Sequence, residues 1–307
     1  MPRLVTVFGA TGQQGGSVIH AILQDETLSK EFKTRGVSRD TSKPPAQTLI
    51  RQGVELVSAD LNSKESLTKV IAGSDSVFLV TTPAWGIEGS DAELVHGKNV
   101  ADVVKETGVQ HFIFSSLLNI TKEFGGRLKH VPYFDQKAQV EHNYTQFGML
   151  RKGDDGVYTL TCPVSKDTRF PLIDITNDLG KFVAAILKNR SEALGAQVLA
   201  ATDYYTPTRL LAELEEVTRK KTRFVQVDSE TYKSFKPGPI GEEMLENHLF
   251  IESPGYYAGR SLNESHDLLK KAGYQTTSWK AYLEQNKSSL DSCFFKKGAQ
   301  FSRDSGE

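Results

Sequence analysis

Short apolar runs recur through the first half of the chain at Leu4 to Phe8, Phe32 to Val37, Val54 to Ser58, Ser76 to Thr81 and His111 to Ser115. Between them, apolar residues fall at helical spacing, as in Val18, Ile19, Ile22 and Leu23 and again in Val95, Val100, Val103 and Val104. Strands that alternate with helices predict a parallel sheet, because each parallel pair needs a crossover and a helix is its compact form. The expected fold class is therefore α/β, a doubly wound parallel sheet of the Rossmann type with helices on both faces.

The second half is less regular. The run Asp174 to Asp178 precedes a helical pattern through Phe182, Val183, Ile186 and Leu187, with Asn177 or Asp178 as the expected cap. A strand is expected at Gln197 to Ala200, and a helix at Leu210 to Val217 opened by Thr206 and Pro207. Two more helices are expected, Asn263 to Lys271 closed by Gly273, and Trp279 to Leu290. These patterns divide the chain into a dinucleotide-binding domain at 1–200, a smaller C-terminal α/β lobe at 201–295 with some interleaving, and a polar tail at 296–307.

Three glycines punctuate the turn after the first strand, within Gly9-Ala10-Thr11-Gly12-Gln13-Gln14-Gly15. Here glycine chemistry has a use: one residue for the tight turn, one for backbone approach to a pyrophosphate, one for close packing of helix on strand. Backbone N–H groups at the helix start would then hold the phosphates. The end of the second strand selects the dinucleotide, since an acid there suits a free ribose and an arginine suits a 2′-phosphate. It reads Ser38-Arg39-Asp40, which favours NADP through Arg39 and Ser38, with NAD as the alternative through Asp40. Asp60 and Leu61 follow the third strand, where a carboxylate could meet the adenine amino group or cap a helix. Thr81, Thr82 and Pro83 follow the fourth, on the nicotinamide side.

Lys+Arg 37 against Asp+Glu 38 in 307 residues gives no global attraction to nucleic acid or acidic lipid. The densest basic stretch, Arg219 to Arg223, is read as a solvated helix end, so no direct nucleic-acid partner is expected. Two cysteines and scattered histidines offer no metal-ligand spacing. Without a leader or a long apolar run, the chain reads as cytoplasmic, with the nucleus as a second compartment, and as having no membrane partner.

A catalytic pair is offered by Tyr133 and Lys137, at i and i+4 on a helical pattern after the fifth strand. Lys137 could hold the nicotinamide ribose and lower the Tyr133 pKa, making the phenol a proton donor for carbonyl reduction. Ser115 or Ser116 could orient the substrate oxygen. A structural role for Tyr133, set by Pro132, weighs about as much.

With these residues in view, the chain resembles NmrA-like proteins, atypical members of the short-chain dehydrogenase/reductase superfamily. The likeness rests on Val7 to Val18, on His96 to Asp102 and on Gly108 to Leu117, extended by Tyr133 to Lys137 and Asp174 to Phe182. It implies a Rossmann domain with a small C-terminal lobe, and dinucleotide binding by the glycine turn, Arg39, Lys98 and Lys137. Family members divide between redox-sensing regulators that bind transcription factors and oxidoreductases, several in fungal secondary metabolism. One departure stands out. After Gly148 the family pattern calls for an apolar sixth strand, and this chain reads Met149-Leu150-Arg151-Lys152-Gly153-Asp154-Asp155 instead. The expected sixth strand is missing there, and the candidate strand Gly156 to Cys162 either fills the vacancy or forms a hairpin arm elsewhere. A damaged substrate side favours a dinucleotide-sensing regulator with a protein partner. The alternatives are an NADP-dependent reductase and a truncated isoform.

Overall fold

A computed structural model describes residues 2–81, 92–117, 150–235 and 238–288. The chain begins β1 (Arg3–Phe8), α1 (Gln13–Gln24), α2 (Leu28–Glu31), β2 (Phe32–Val37), α3 (Pro44–Arg51), β3 (Glu55–Val57) and α4 (Lys64–Ile71). It continues through β4 (Ser76–Leu79), α5 (Ala92–Glu106) and β5 (His111–Phe114). Next come β6 (Leu150–Lys152), β7 (Tyr158–Cys162), β8 (Phe170–Leu172), α6 (Ile175–Lys188), α7 (Arg190–Ala193) and β9 (Asp203–Tyr205). The last elements are α8 (Pro207–Thr218), β10 (Thr222–Gln226), α9 (Ser229–Ser234), α10 (Pro239–Glu252), α11 (Asn263–Lys271) and α12 (Trp279–Gln285).

The chain divides into two units, residues 1–138, 173–200 and 261–276 in the first, and 139–172, 201–260 and 277–307 in the second. In the first, five parallel strands stand in the order β3-β2-β1-β4-β5. Succession runs outward from β1 through β2 to β3, then reverses to β4 on the other side. The ends of β1 and β4 therefore flank a topological switch point, where the turns after both strands diverge and leave a crevice. Helices α1 and α6 bury Val18, Ile19, Ile22, Val183 and Leu187 with Val5 and Val7 on one face of the sheet. Helices α4 and α5 bury Leu67, Ile71, Val100, Val103 and Val104 with Phe8, Val77 and Leu79 on the other. The central strands β1 and β4, covered on both faces, read as near-continuous apolar runs, whereas β2 alternates Lys33 and Arg35 with buried Phe32 and Thr34.

In the second unit, β10, β7 and β6 form a three-stranded sheet in that order, and β8 pairs antiparallel with β9. Residues 150–162 thus become an antiparallel hairpin, with Leu150 opposite Leu160 and Lys152 opposite Tyr158. Among the described residues β7 does not fill the place beside β5, which ends its sheet.

Several expectations need correction. The cap of α6 is Asp174, whose carboxylate accepts from the Asn177 N–H at 3.1 Å, whereas Asp178 lies buried inside the helix and pairs with Lys181 at 2.7 Å. The strand expected at Gln197 to Ala200 is absent, because the Leu199 N–H donates to the Ser265 hydroxyl at 2.8 Å rather than to a neighbouring strand. Helix α12 stops at Gln285. The basic stretch is more than a helix end: Arg219 closes α8 at φ 60°, and from Thr222 the chain is a strand parallel to β7. No helix among the described residues is long and apolar enough to cross a membrane.

Candidate functional site

The chain leaves β1 at Phe8 and turns on Gly9 at φ 67°, in the left-handed region that a side chain disfavours. The Gly12 N–H closes the turn on the Gly9 carbonyl at 2.9 Å, and the Gly12 carbonyl accepts from Gly16 at 2.9 Å to start α1. A Cβ on Gly12 would stand 3.3 Å from the Gly9 oxygen, and one on Gly15 would fall onto the Gly9 carbonyl group and 2.8 Å from the Phe8 oxygen. The start of α1 therefore lies directly on the end of β1. Gly12 caps the helix without a side-chain acceptor, and its first turn carries no acid. A helix N-terminus packed this closely on the strand end, with no side chain at Gly12 and no acid in its first turn, fits a phosphate group.

The Ala10 N–H donates to Val37 O at 3.1 Å, so the turn is pinned to the end of β2. Ser38 follows, buried, its hydroxyl 3.2 Å from that of Thr11. Arg39 is exposed, and its guanidinium donates to nothing among the described residues. Asp40 turns away from that role: its carboxylate accepts from the Ser42 hydroxyl at 2.6 Å and the Ser42 N–H at 2.9 Å. Those two bonds hold its carboxyl below the usual carboxylate range. Of the two candidates for the ribose end, one is free and the other is committed to a local turn.

Asp60 is likewise engaged, accepting from the Asn62 N–H at 2.9 Å and its amide at 3.1 Å. It does not cap α4; Ser63 does, accepting from Ser66 at 3.2 Å. The Leu61 carbonyl accepts from the Asn99 amide of α5 at 3.0 Å, and His96 meets Asn62 at 3.2 Å, so α5 holds this turn in place. Lys98 lies exposed on the same helix, its ammonium pairing with no carboxylate among the described residues.

At the end of β4, the Thr81 hydroxyl is buried and donates to Glu93 at 2.5 Å, which makes it a support for α5 rather than an open ligand. Beyond β5 the two serines separate. Ser115 donates to the Gln14 side-chain oxygen at 2.7 Å, joining β5 to the first turn of α1. Ser116 is exposed, its hydroxyl 3.3 Å from the Leu117 carbonyl. The Gln14–Ser115 link joins residues 101 apart in sequence, and no spacing rule could have revealed it. Thr82, Pro83, Tyr133 and Lys137 lie outside the described residues. Among the described residues no group of three or more His, Cys, Asp or Glu could hold a metal ion.

The chain has relatives among known proteins. The chain is similar to the NmrA-like family domain-containing oxidoreductase malD of Malbranchea aurantiaca, 29% identical over 259 residues, covering 74% of this chain and 76% of that one. It is 27% identical over 321 residues to the NmrA-like family domain-containing protein DDB_G0286605 of Dictyostelium discoideum, covering 95% of this chain and 100% of that one. Since 95% of 307 residues is about 292, about 29 of those 321 positions have no counterpart here, a shortfall within the aligned span. The crystal structure of Nmra, a negative transcriptional regulator, superimposes with a TM-score of 0.72 at 19% identity, covering 93% of this chain and 95% of that one. The NmrA-like family model itself matches residues 1–150 and 141–283, and the chain belongs to that family.

Proposed function

We propose that this chain binds NADP(H) at the switch point of its five-stranded sheet and works as an oxidoreductase on a carbonyl or activated double bond. The observation that carries the reading is the pairing of a side-chain-free helix N-terminus at Gly12 with Arg39, whose guanidinium has no partner among the described residues, beside a locked Asp40. The α1 N-terminus would hold the pyrophosphate, and Arg39 with Ser38 the 2′-phosphate. Nmra has been solved in complex with NAD and with NADP, which supports a dinucleotide at this place in the fold.

When bound, the reduced nicotinamide supplies a hydride. The chain's own residues have other work. Ser115 positions Gln14 at the helix start, Lys98 and Lys137 supply cations toward the cofactor, and Tyr133 gives its phenolic proton to the substrate oxygen. The missing strand alone argued for a regulator acting through a protein such as a transcription factor. Relatives that are named oxidoreductases, malD at 29% identity and lnbB of Aspergillus flavus at 30%, tip the balance toward catalysis.

The test is NADPH consumption against a panel of carbonyls, quinones and activated alkenes. Turnover that falls by about 10²-fold or more in Tyr133→Phe, with NADPH binding retained, is the expected result. NADPH binding with no acceptor reduced would replace the enzyme by the regulator.

A further inference from the structure

The second unit carries a surface that the dinucleotide reading does not use. Strand pairing sets Arg151 of β6 opposite Thr159 of β7, and Thr159 opposite Arg223 of β10. Successive side chains alternate across a sheet, so these three stand in one row on one face, with Lys221 on the same face two residues before Arg223. The other face is the core side: Tyr158, Leu160 and Cys162 are buried there, and the Thr222 hydroxyl reaches the Leu211 carbonyl of α8 at 3.5 Å. At the end of the sheet, the Lys152 and Lys220 ammonium groups lie 5.9 and 5.4 Å from the centre of the Tyr158 ring. Two stretches about 70 residues apart in sequence thus build one basic end of a sheet, in a chain whose net charge is −1.

What holds Arg223 is weak. Arg223 donates to the Thr159 hydroxyl at 3.0 Å and faces Asp155 at 3.3 Å, with both charged side chains about half exposed. Such a pair is easily exchanged for another carboxylate. Arg219 and Lys221 are exposed and pair with no carboxylate among the described residues.

We propose that this sheet face docks an extended, acidic polypeptide segment of a partner protein. Alternate side chains of an extended chain stand ~7 Å apart, which is also the separation of Lys221 and Arg223 along β10. Across the sheet, two strand spacings set Arg151 and Arg223 ~10 Å apart, so adjacent acidic positions on a crossing chain find cations in both directions. Thr159 adds a hydroxyl between them, with Thr161 two residues further along the same face. A nucleic acid fits less well. The row presents no aromatic ring for base stacking, since Tyr158 is 5% exposed and belongs to the other face.

The inference does not rest on cofactor binding, and each can fail without the other. Its test is fluorescence anisotropy of the full chain with a labelled peptide of alternating glutamate and serine, beside the same peptide with glutamine for glutamate and a labelled DNA duplex. The glutamate peptide is expected to bind in preference to both, with affinity falling as salt rises. The double variant K221E/R223E, and separately Arg151→Glu on the neighbouring strand, should each weaken it by about tenfold or more. These side chains are exposed, so melting temperatures should hold; if a reversal unfolds the chain, Lys221→Gln and Arg151→Gln should show the same trend in smaller measure. Equal binding of the glutamine peptide, binding indifferent to every one of these variants, or tighter binding of the duplex would overturn the proposal.

Discussion

Gly15 shows how little room the cofactor turn leaves. A methyl group there would occupy the space of the Gly9 carbonyl, which is backbone and cannot rotate aside. The Gly15→Ala variant should therefore lose about 1–3 kcal/mol of stability from overpacking and, with α1 pushed off β1, lose the rise in melting temperature on adding NADPH. Melting curves with and without NADPH check both parts. At this scale the sequence was informative where the backbone itself does the work, as in Gly9, Gly12 and Gly15. It was less so where one side chain had two possible duties. Asp40 and Asp60 both looked available for a ribose or a base, and each instead closes a turn on a residue two positions on. Local hydrogen bonding of this kind is cheap for aspartate, and an unaligned sequence cannot say when it wins.

The elements of the first unit are tied by charge as well as by packing. Asp25, the residue that ends α1, accepts from Lys188 of α6 at 2.6 Å and from the Tyr274 hydroxyl at 2.5 Å. Burial by itself would raise the Asp25 pKa, but these bonds and the Leu28 and Thr27 N–H groups outweigh it and bring it to about 2. A carboxyl lowered on folding stabilises the fold above its unfolded pKa and loses that contribution as pH falls from about 4 toward 2. The Asp25 side chain is only 10% exposed, so screening is modest and the contribution is on the order of 2 kcal/mol. In Asp25→Asn, urea unfolding at pH 7 should show about that loss, and the difference from the parent chain should shrink as pH approaches 2. A difference that is constant with pH would mean that the triad is not ionised as described.

Element by element, legibility followed burial. The central strands β1 and β4 are covered on both faces and read as apolar runs, and all five parallel strands end within a residue or two of the runs in the sequence. Strands β6 and β10 carry arginine and lysine on an open face, and nothing in Leu150-Arg151-Lys152 or in Lys220-Lys221-Thr222-Arg223 distinguishes a strand from a solvated turn. Only pairing with β7 makes them strands, and for β10 that pairing spans 60 or so residues and leaves no local trace. Helix α10 carries no clear amphipathic signature, because its apolar residues, among them Met244, Leu245, Phe250 and Ile251, are too evenly mixed with acids to mark one face.

For the molecule as a whole, the order β3-β2-β1-β4-β5 is what turns a glycine motif into a site. The same seven residues, Gly9 to Gly15, at a sheet edge would bind little; at the switch point they open on a crevice between diverging turns. The family model matches in two pieces that meet at residues 141–150, where the sequence departs from the family pattern and the next described strand joins a different sheet. The glycine turn is legible because its chemistry is local backbone, whereas the substrate half rests on Tyr133 and Lys137, a short spacing that lies outside the described residues. The central claim is that a turn of three glycines and one free arginine binds the phosphorylated dinucleotide. Calorimetric titration of the parent chain and of Arg39→Ala with NADPH and with NADH tests it most directly. The parent should bind NADPH at least about tenfold more tightly than NADH, the worth of a charge-assisted phosphate contact, and Arg39→Ala should bring the two affinities together. Failure of the parent to bind either nucleotide, or a preference for NADPH that survives the loss of Arg39, would contradict it.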